Sequence, residues 1–190
     1  MNSLVDTISD AVARLGPQTG GQINEIIAEL AGLALDTEDQ LSVLATSLAA
    51  MATRHHGRHK PVYLEAVRIW SLEISVALAP PPARAAIMGD GGPVEDGADI
   101  LIGGLDGLIE TMLQEGVGMQ DRLVIELALL ARLLGQHDAN AIHLTLATVS
   151  EALAGPDYCA GQTVRVPLGT MGRPLSRDAC LAAVAARGVA

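Results

Sequence analysis

The sequence predicts an all-α protein, a bundle of about six principal helices, and three observations support this prediction. The chain has 190 residues, a length that suits a single domain. Hydrophobic residues make up 49% of it, but aromatic residues only 2%, and Phe is absent. Leu, Ala and Met favour helices, whereas sheets favour aromatic and β-branched residues. Apolar positions also recur at helical spacing along most of the chain.

Residues 1–21 predict a short amphipathic helix followed by a linker. Apolar side chains fall near one face between Asn2 and Leu15. The stretch from Gly16 to Gly21 contains three glycines and one proline, a composition that ends helices. We expect the first helix to dock on its own domain.

Residues 22–154 predict the bundle itself, as two similar halves of three helices each. The halves are residues 22–79 and 98–154, joined by a Gly- and Pro-rich linker at residues 80–97. An offset of 82 residues aligns the helices of one half with those of the other and pairs His55 with His137. The repeated order of helix, acidic cap, helix, histidine turn and helix predicts an internal duplication. Trp70, the only Trp, falls between Val67 and Ile74 on the inward stripe, so we expect it in the core.

Residues 155–190 predict an irregular tail with a short helix from Ser176 to about Arg187. The stretch Thr163–Leu168 alternates like a strand, and Pro167 would confine a strand to a sheet edge. We expect this stretch to lie extended across the bundle, to pair with a second chain, or to stay mobile. The two cysteines, Cys159 and Cys180, are too few for a disulfide framework and are expected to be reduced thiols.

Charge and hydropathy restrict the classes of partner. The formal net charge is −10, and an acidic surface repels phosphates, so we expect no general binding of nucleic acid. Crossing a membrane takes about 20 consecutive apolar residues, and the longest candidate, Leu41 to Thr53, is shorter. The N-terminus carries Asp6 and Asp10 rather than the basic residues of a signal peptide. We therefore expect a cytoplasmic protein with no membrane span.

The turn between the second and third helices is the candidate binding site. It contains three of the five histidines and three of the twelve Lys and Arg residues of the chain. Arginine and lysine pair with carboxylates and phosphates, so we expect the turn to bind an acidic protein segment or an anion. The candidate residues are Arg54, His55, His56, Arg58, His59 and Lys60, of which the three fixed cations are expected to be solvent-exposed.

Other chemistry at this turn stays open. His55, His56 and His59, with an acidic fourth ligand, would suit zinc, although Gly57 and Pro61 interrupt the helix that would align them. A phosphoacceptor role is another alternative, because His56, five residues before Pro61, resembles the dimerisation motif of histidine kinases, with Gly57 where that motif has an acidic residue. A solvated polar turn is the simplest alternative. We assign no catalytic residues.

The predicted function is that of a non-enzymatic interaction protein, a scaffold or adaptor that self-associates through apolar helix faces. The chain has more apolar stripes than one small bundle needs, and exposed apolar patches mark interfaces. A homodimer is the commonest arrangement, and a further protein partner is expected. The alternative is a small metal-binding protein, or a histidine-dependent enzyme or phosphotransfer module, that uses the turn from His55 to His59.

Overall fold

The computed structural model describes residues 4–77 and 93–167, which form seven α-helices and no strand. The prediction of an all-α bundle, with a short helix before six principal ones, is confirmed. The helices are α1 (Leu4–Val12), α2 (Pro17–Gly32), α3 (Thr37–Met51), α4 (Lys60–Ala77), α5 (Pro93–Gln114), α6 (Met119–Leu134) and α7 (Ala139–Ala154).

Carboxylates lie at the N-terminal ends of three helices. Two of them cap their own helix, and the third comes from a distant part of the chain. Asp36 accepts from the N–H of Asp39 at the start of α3, and Asp138 accepts from two N–H groups at the start of α7. At the start of α2, the carboxylate of Glu115 accepts from the Thr19 hydroxyl instead. It lies so close to Gly16 that a Cβ there would collide with it. A carboxylate from the α5–α6 connection therefore stabilises the positive end of α2.

The last residues of both predicted linkers belong to the helices that follow them. Residues 17–21 are the first turns of α2, with Pro17 at a position that favours proline. Helix α5 begins at Pro93, five residues before the expected start, and residues 80–92 lie outside the described part of the chain. Glycines of α5 serve close packing: a Cβ on Gly97 would be 2.6 Å from Val43 of α3, and one on Gly104 would be 2.6 Å from Ile26 of α2.

Helix α3 is the centre of the bundle. All residues from 41 to 50 are buried, because α5 and α7 pack against the helix and residues 162–167 cover a further part of it. Helix α4 packs on α6 and α7, α2 packs on α5, and α1 docks on α6, as expected for the first helix. None of the described helices is long and apolar enough to cross a membrane.

Helices α4 and α6 run in the same direction. Tyr63, near the start of α4, contacts Glu126 of α6. Farther along, the Ser71 carbonyl oxygen is 2.9 Å from where a Cβ of Gly135 would lie. The α3–α4 turn and the α6–α7 turn therefore lie at opposite ends of the bundle. The internal duplication stays a prediction. In it, α2 corresponds to α5 and α3 corresponds to α6, so the contact of α5 with α3 should have a counterpart between α2 and α6. The helix that packs on α6 is instead α1.

Trp70 is only partly buried, so the expectation that it lies in the core is wrong. The buried face of α4 is centred on Leu64, Val67 and Ser71, and Trp70 lies on the flank of that face, packed against the edge of the core. Consecutive residues of a helix are rotated by about 100°, so Trp70 does not share the direction of the buried Ser71. The indole therefore lies at the border between the buried and the exposed face of α4.

The described part of the tail lies extended across α3, the first of the three arrangements expected for it. Val164 and Val166 are buried, and their neighbours point outward. The N–H of Val164 donates to the Thr46 hydroxyl at 2.9 Å, and the N–H of Val166 donates to the Ser42 hydroxyl at 3.0 Å. These hydroxyls of α3 thus accept the backbone hydrogen bonds that a neighbouring strand would accept in a sheet. Residues 168–190, including the predicted last helix, lie outside the described residues.

Candidate functional site

The α3–α4 turn changes helix type twice within eight residues. Helix α3 continues as a π-helical turn, Ala52–His56, followed by a 3₁₀ turn, Gly57–His59. Gly57 has φ +43° and ψ −116°, a conformation that residues with a Cβ rarely adopt. Single π-turns inside helices are rare and frequently occur at functional sites. Here the irregular backbone turns neighbouring histidines towards different helices.

Arg54 and His55 bind one carboxylate of α5. The Nη1 of Arg54 donates to Asp106 Oδ2 at 2.5 Å, and the Nε2 of His55 lies 2.9 Å from Asp106 Oδ1. All three side chains are more than a third exposed to solvent. Water screens ion pairs of this kind, and each contributes at most about 1 kcal/mol. This contact is therefore a surface contact that orients the turn.

His56 binds a different carboxylate, which is buried. Its Nε2 lies 3.2 Å from Glu126 Oε1, and the hydroxyl of Tyr63 donates to the same oxygen at 2.7 Å. The His56 and Tyr63 rings stack with centroids 3.9 Å apart. Burial raises the pKa of Tyr63 well above its usual value of about 10, and the charge and hydrogen bond of Glu126 raise it further. Only 5% of the Glu126 side chain is exposed, so these two donors stabilise a buried carboxylate.

Arg58, His59 and Lys60 are the other basic residues of the turn. Arg58 and His59 are exposed and lie against each other, with Arg58 Nε 3.4 Å from His59 Nε2. Arg54 and Arg58 are exposed as expected, but Lys60, the first residue of α4, is half-buried rather than exposed. The predicted residues therefore do not form one cluster: Arg54 and His55 share Asp106, His56 binds Glu126, and Arg58 lies against His59.

The three histidines do not form a metal site. His55 and His56 face different carboxylates, and His59 lies beside Arg58. Residues 4–77 and 93–167 contain no group of three or more His, Cys, Asp or Glu side chains that could hold a metal ion. The geometry of these residues therefore does not fit the zinc alternative.

A groove of about 510 Å³ opens beside the turn, between α4 and the neighbouring parts of α5 and α6. Its lining combines histidines with apolar side chains, and Glu126 lies at its base. Met119 is 76% exposed and Val62 is 70% exposed, the two highest values among the large hydrophobic residues of the described chain. The lining residues are His55, His56, His59, Val62, Tyr63, Ala66, Ile109, Met119, Gln120, Arg122, Leu123, Glu126 and Leu127.

The sequence left Asp106, Met119 and Glu126 out of the candidate site. A signal for one of them was present, because Glu126 is the only charged residue in the apolar run from Leu123 to Ala131. An acidic residue on the buried face of a helix needs a partner. Nothing in the sequence indicated that the partners were His56 and Tyr63.

Comparison of the chain with protein-family models, with curated proteins and with solved structures finds no match. The function is therefore inferred from the geometry of the chain itself.

Proposed function

We propose that this is a non-enzymatic interaction protein that self-associates through the surface formed by α4 and α6 beside the groove. One observation carries the proposal: the two most exposed large hydrophobic side chains of the described residues, Met119 and Val62, line the same groove. Leu123 and Ile69, also exposed, extend the apolar surface along α6 and α4. Exposed apolar side chains grouped in this way mark protein interfaces.

The charge distribution along α4 favours a second copy of the chain as the partner. Val62 and Ile69 lie two turns apart on the exposed face of the helix. Arg58 and His59 precede this face, and Glu73, also exposed, follows it. If a two-fold axis crosses α4 between Val62 and Ile69, the two helices run antiparallel. The basic end of each then lies against the acidic end of the other.

This arrangement also relieves the repulsion expected between two acidic chains. Each copy carries a formal net charge of −10, so association through most of the surface brings like charges together. The turn before α4, with exposed Arg58, is an exception to that charge. Fully burying one Val or Leu side chain contributes roughly 1.5–3 kcal/mol, and both copies contribute such residues.

The test is the mass of the protein in solution, measured by sedimentation equilibrium over a range of concentrations. We expect the wild-type chain to be a dimer and Val62→Glu to be a monomer. The matched control is Val12→Glu: Val12 is 50% exposed on α1 and does not line the groove. It adds the same charge and should leave the dimer intact. A wild-type monomer at all concentrations would contradict the proposal.

A charge swap tests the antiparallel arrangement. Arg58→Glu and Glu73→Arg should each weaken the dimer, because each brings like charges together across the two-fold axis. The double variant restores opposite charges and should bind more tightly than either single variant. Additive loss in the double variant would mean that these two positions do not face each other.

A further inference from the structure

A second cavity lies at the opposite end of the bundle, beside the α6–α7 turn. Its volume is about 230 Å³, and it is bounded by the end of α2, the start of α3 and the end of α6. The groove at the histidine turn shares no residue with it. The lining residues are Ile27, Leu30, Ala31, Leu35, Gln40, Val43, Leu44, Leu133, Gln136 and His137.

The lining contains no Asp, Glu, Lys or Arg, and its polar groups are neutral amides and one imidazole. Burial lowers the pKa of His137, and the charge of Asp138 opposes this only in part. The imidazole is therefore neutral at neutral pH, with one nitrogen that can donate and one that can accept. Ser75 donates to the backbone carbonyl of His137 at 3.4 Å.

The volume limits the size of the ligand. An apolar cavity of about 150 Å³ holds one benzene molecule in a well-studied case, so 230 Å³ suits a molecule of about nine non-hydrogen atoms. A charged ligand would lose its hydration without gaining a partner charge. An apolar ligand gains from contact with the seven aliphatic residues of the lining.

We propose that this cavity binds a small uncharged molecule, largely apolar, with one hydrogen-bonding group that pairs with His137. The inference does not depend on the proposed self-association, because the two sites lie at opposite ends of the bundle. The cavity would make the protein a small-molecule carrier or sensor in addition to an interaction protein.

Three probes of about equal size separate the contributions to binding. Indole is neutral with one N–H donor, indene has the same ring size without a polar group, and benzoate is charged. Methyl NMR of the full-length chain would follow Leu133 and Val43, which line the cavity. We expect indole to bind with submillimolar affinity, indene about fivefold more weakly through loss of one hydrogen bond, and benzoate not at all.

Two variants test the position of the site. His137→Leu keeps a side chain in the cavity wall but removes the hydrogen bond, so indole and indene should then bind equally. Ala31→Trp places an indole ring over the cavity and should abolish binding. Ala28→Trp is its control, because Ala28 is also exposed on α2 but does not line the cavity. Thermal unfolding of each variant checks that it folds, and either variant alone tests the site.

Three results would overturn the inference. Benzoate binding as tightly as indole would exclude a neutral ligand. Unchanged indole binding by Ala31→Trp would place the ligand elsewhere. An absence of methyl shifts with all three probes would mean that the cavity does not admit ligands.

Discussion

The α3–α4 turn and the α6–α7 turn occupy equivalent positions in the predicted duplication, yet their histidines have opposite surroundings. His56 lies against the carboxylate of Glu126 and the ring of Tyr63. His137 lies among aliphatic residues at the other end of the bundle, where burial lowers its pKa. The difference comes from the helices that each turn meets, because α6 supplies a buried acid at one end and α2 supplies apolar residues at the other. Histidines at the two turns therefore acquire different surroundings from the helices that pack against them.

The largest expected effect comes from removing the buried acid that distinguishes the two ends. Glu126→Ala leaves His56 and the Tyr63 hydroxyl without their acceptor in a buried site. We expect the free energy of unfolding, measured with urea, to fall by about 3 kcal/mol. Asp106→Ala is the control, since its ion pairs are exposed, and should lower that free energy by less than about 1 kcal/mol. Equal losses would contradict the assignment of Glu126 as the buried partner.

Glycine substitutions at the two turns should have different effects for different reasons. Gly135→Ala places a Cβ 2.8 Å from the Ala131 carbonyl oxygen and 2.9 Å from that of Ser71, so α4 and α6 must separate. We expect a loss of about 2–3 kcal/mol in unfolding free energy. Gly57→Ala meets no atom within 4 Å but keeps a positive φ, a sparsely populated conformation that costs about 1 kcal/mol or more. A larger loss at Gly57 would mean that the Gly135 contact relaxes easily.

The two ends should respond to pH in opposite directions. The pKa of Tyr63 is raised in the folded protein, so its contribution to stability is complete below pH about 10 and is lost as pH rises above that value. Tyr63→Phe should reduce this alkaline loss. The pKa of His137 is lowered, so its contribution is present above pH about 6.5 and is lost as pH falls. His137→Leu should reduce the acid loss.

Urea denaturation of both variants between pH 5 and pH 11 would measure these slopes. Each variant serves as the control for the other. Tyr63→Phe should change the pH dependence of the unfolding free energy only in the alkaline range, and His137→Leu should change it only in the acid range. If His137→Leu left the acid limb unchanged, the imidazole would titrate in the folded chain as it does in the unfolded one.

The smallest expected effect is that of removing the fixed charges of the α3–α4 turn. The triple variant Arg54→Ala, Arg58→Ala and Lys60→Ala removes one surface ion pair, that of Arg54 with Asp106. We expect the unfolding free energy to change by less than about 1 kcal/mol and the melting temperature by a few degrees at most. A large fall in melting temperature, measured by circular dichroism, would show that the cations stabilise the fold.

The sequence by itself determined the features that depend on neighbouring residues. Helical periodicity located the principal helices, and the cap at Asp36 acts on an N–H group three residues away. The strand-like alternation of Thr163–Leu168 indicated an extended chain, which residues 163–167 adopt, because the period of an extended chain is local. These interactions operate within one turn of helix or one pleat, so their residues are adjacent in the sequence.

Only the tertiary structure decided how the candidate residues are partnered. His56 and Glu126 are 70 positions apart, and Thr19 and Glu115 are 96 apart. Whether such residues meet depends on the direction and rotation of whole helices. The direction and rotation of a helix are set by close contacts such as Gly97 on Val43 and Gly135 on Ser71. The partners of Asp36 and Glu126 therefore differed in predictability: a cap binds the start of its own helix, whereas a buried acid binds whatever residue the packing of other helices brings to it.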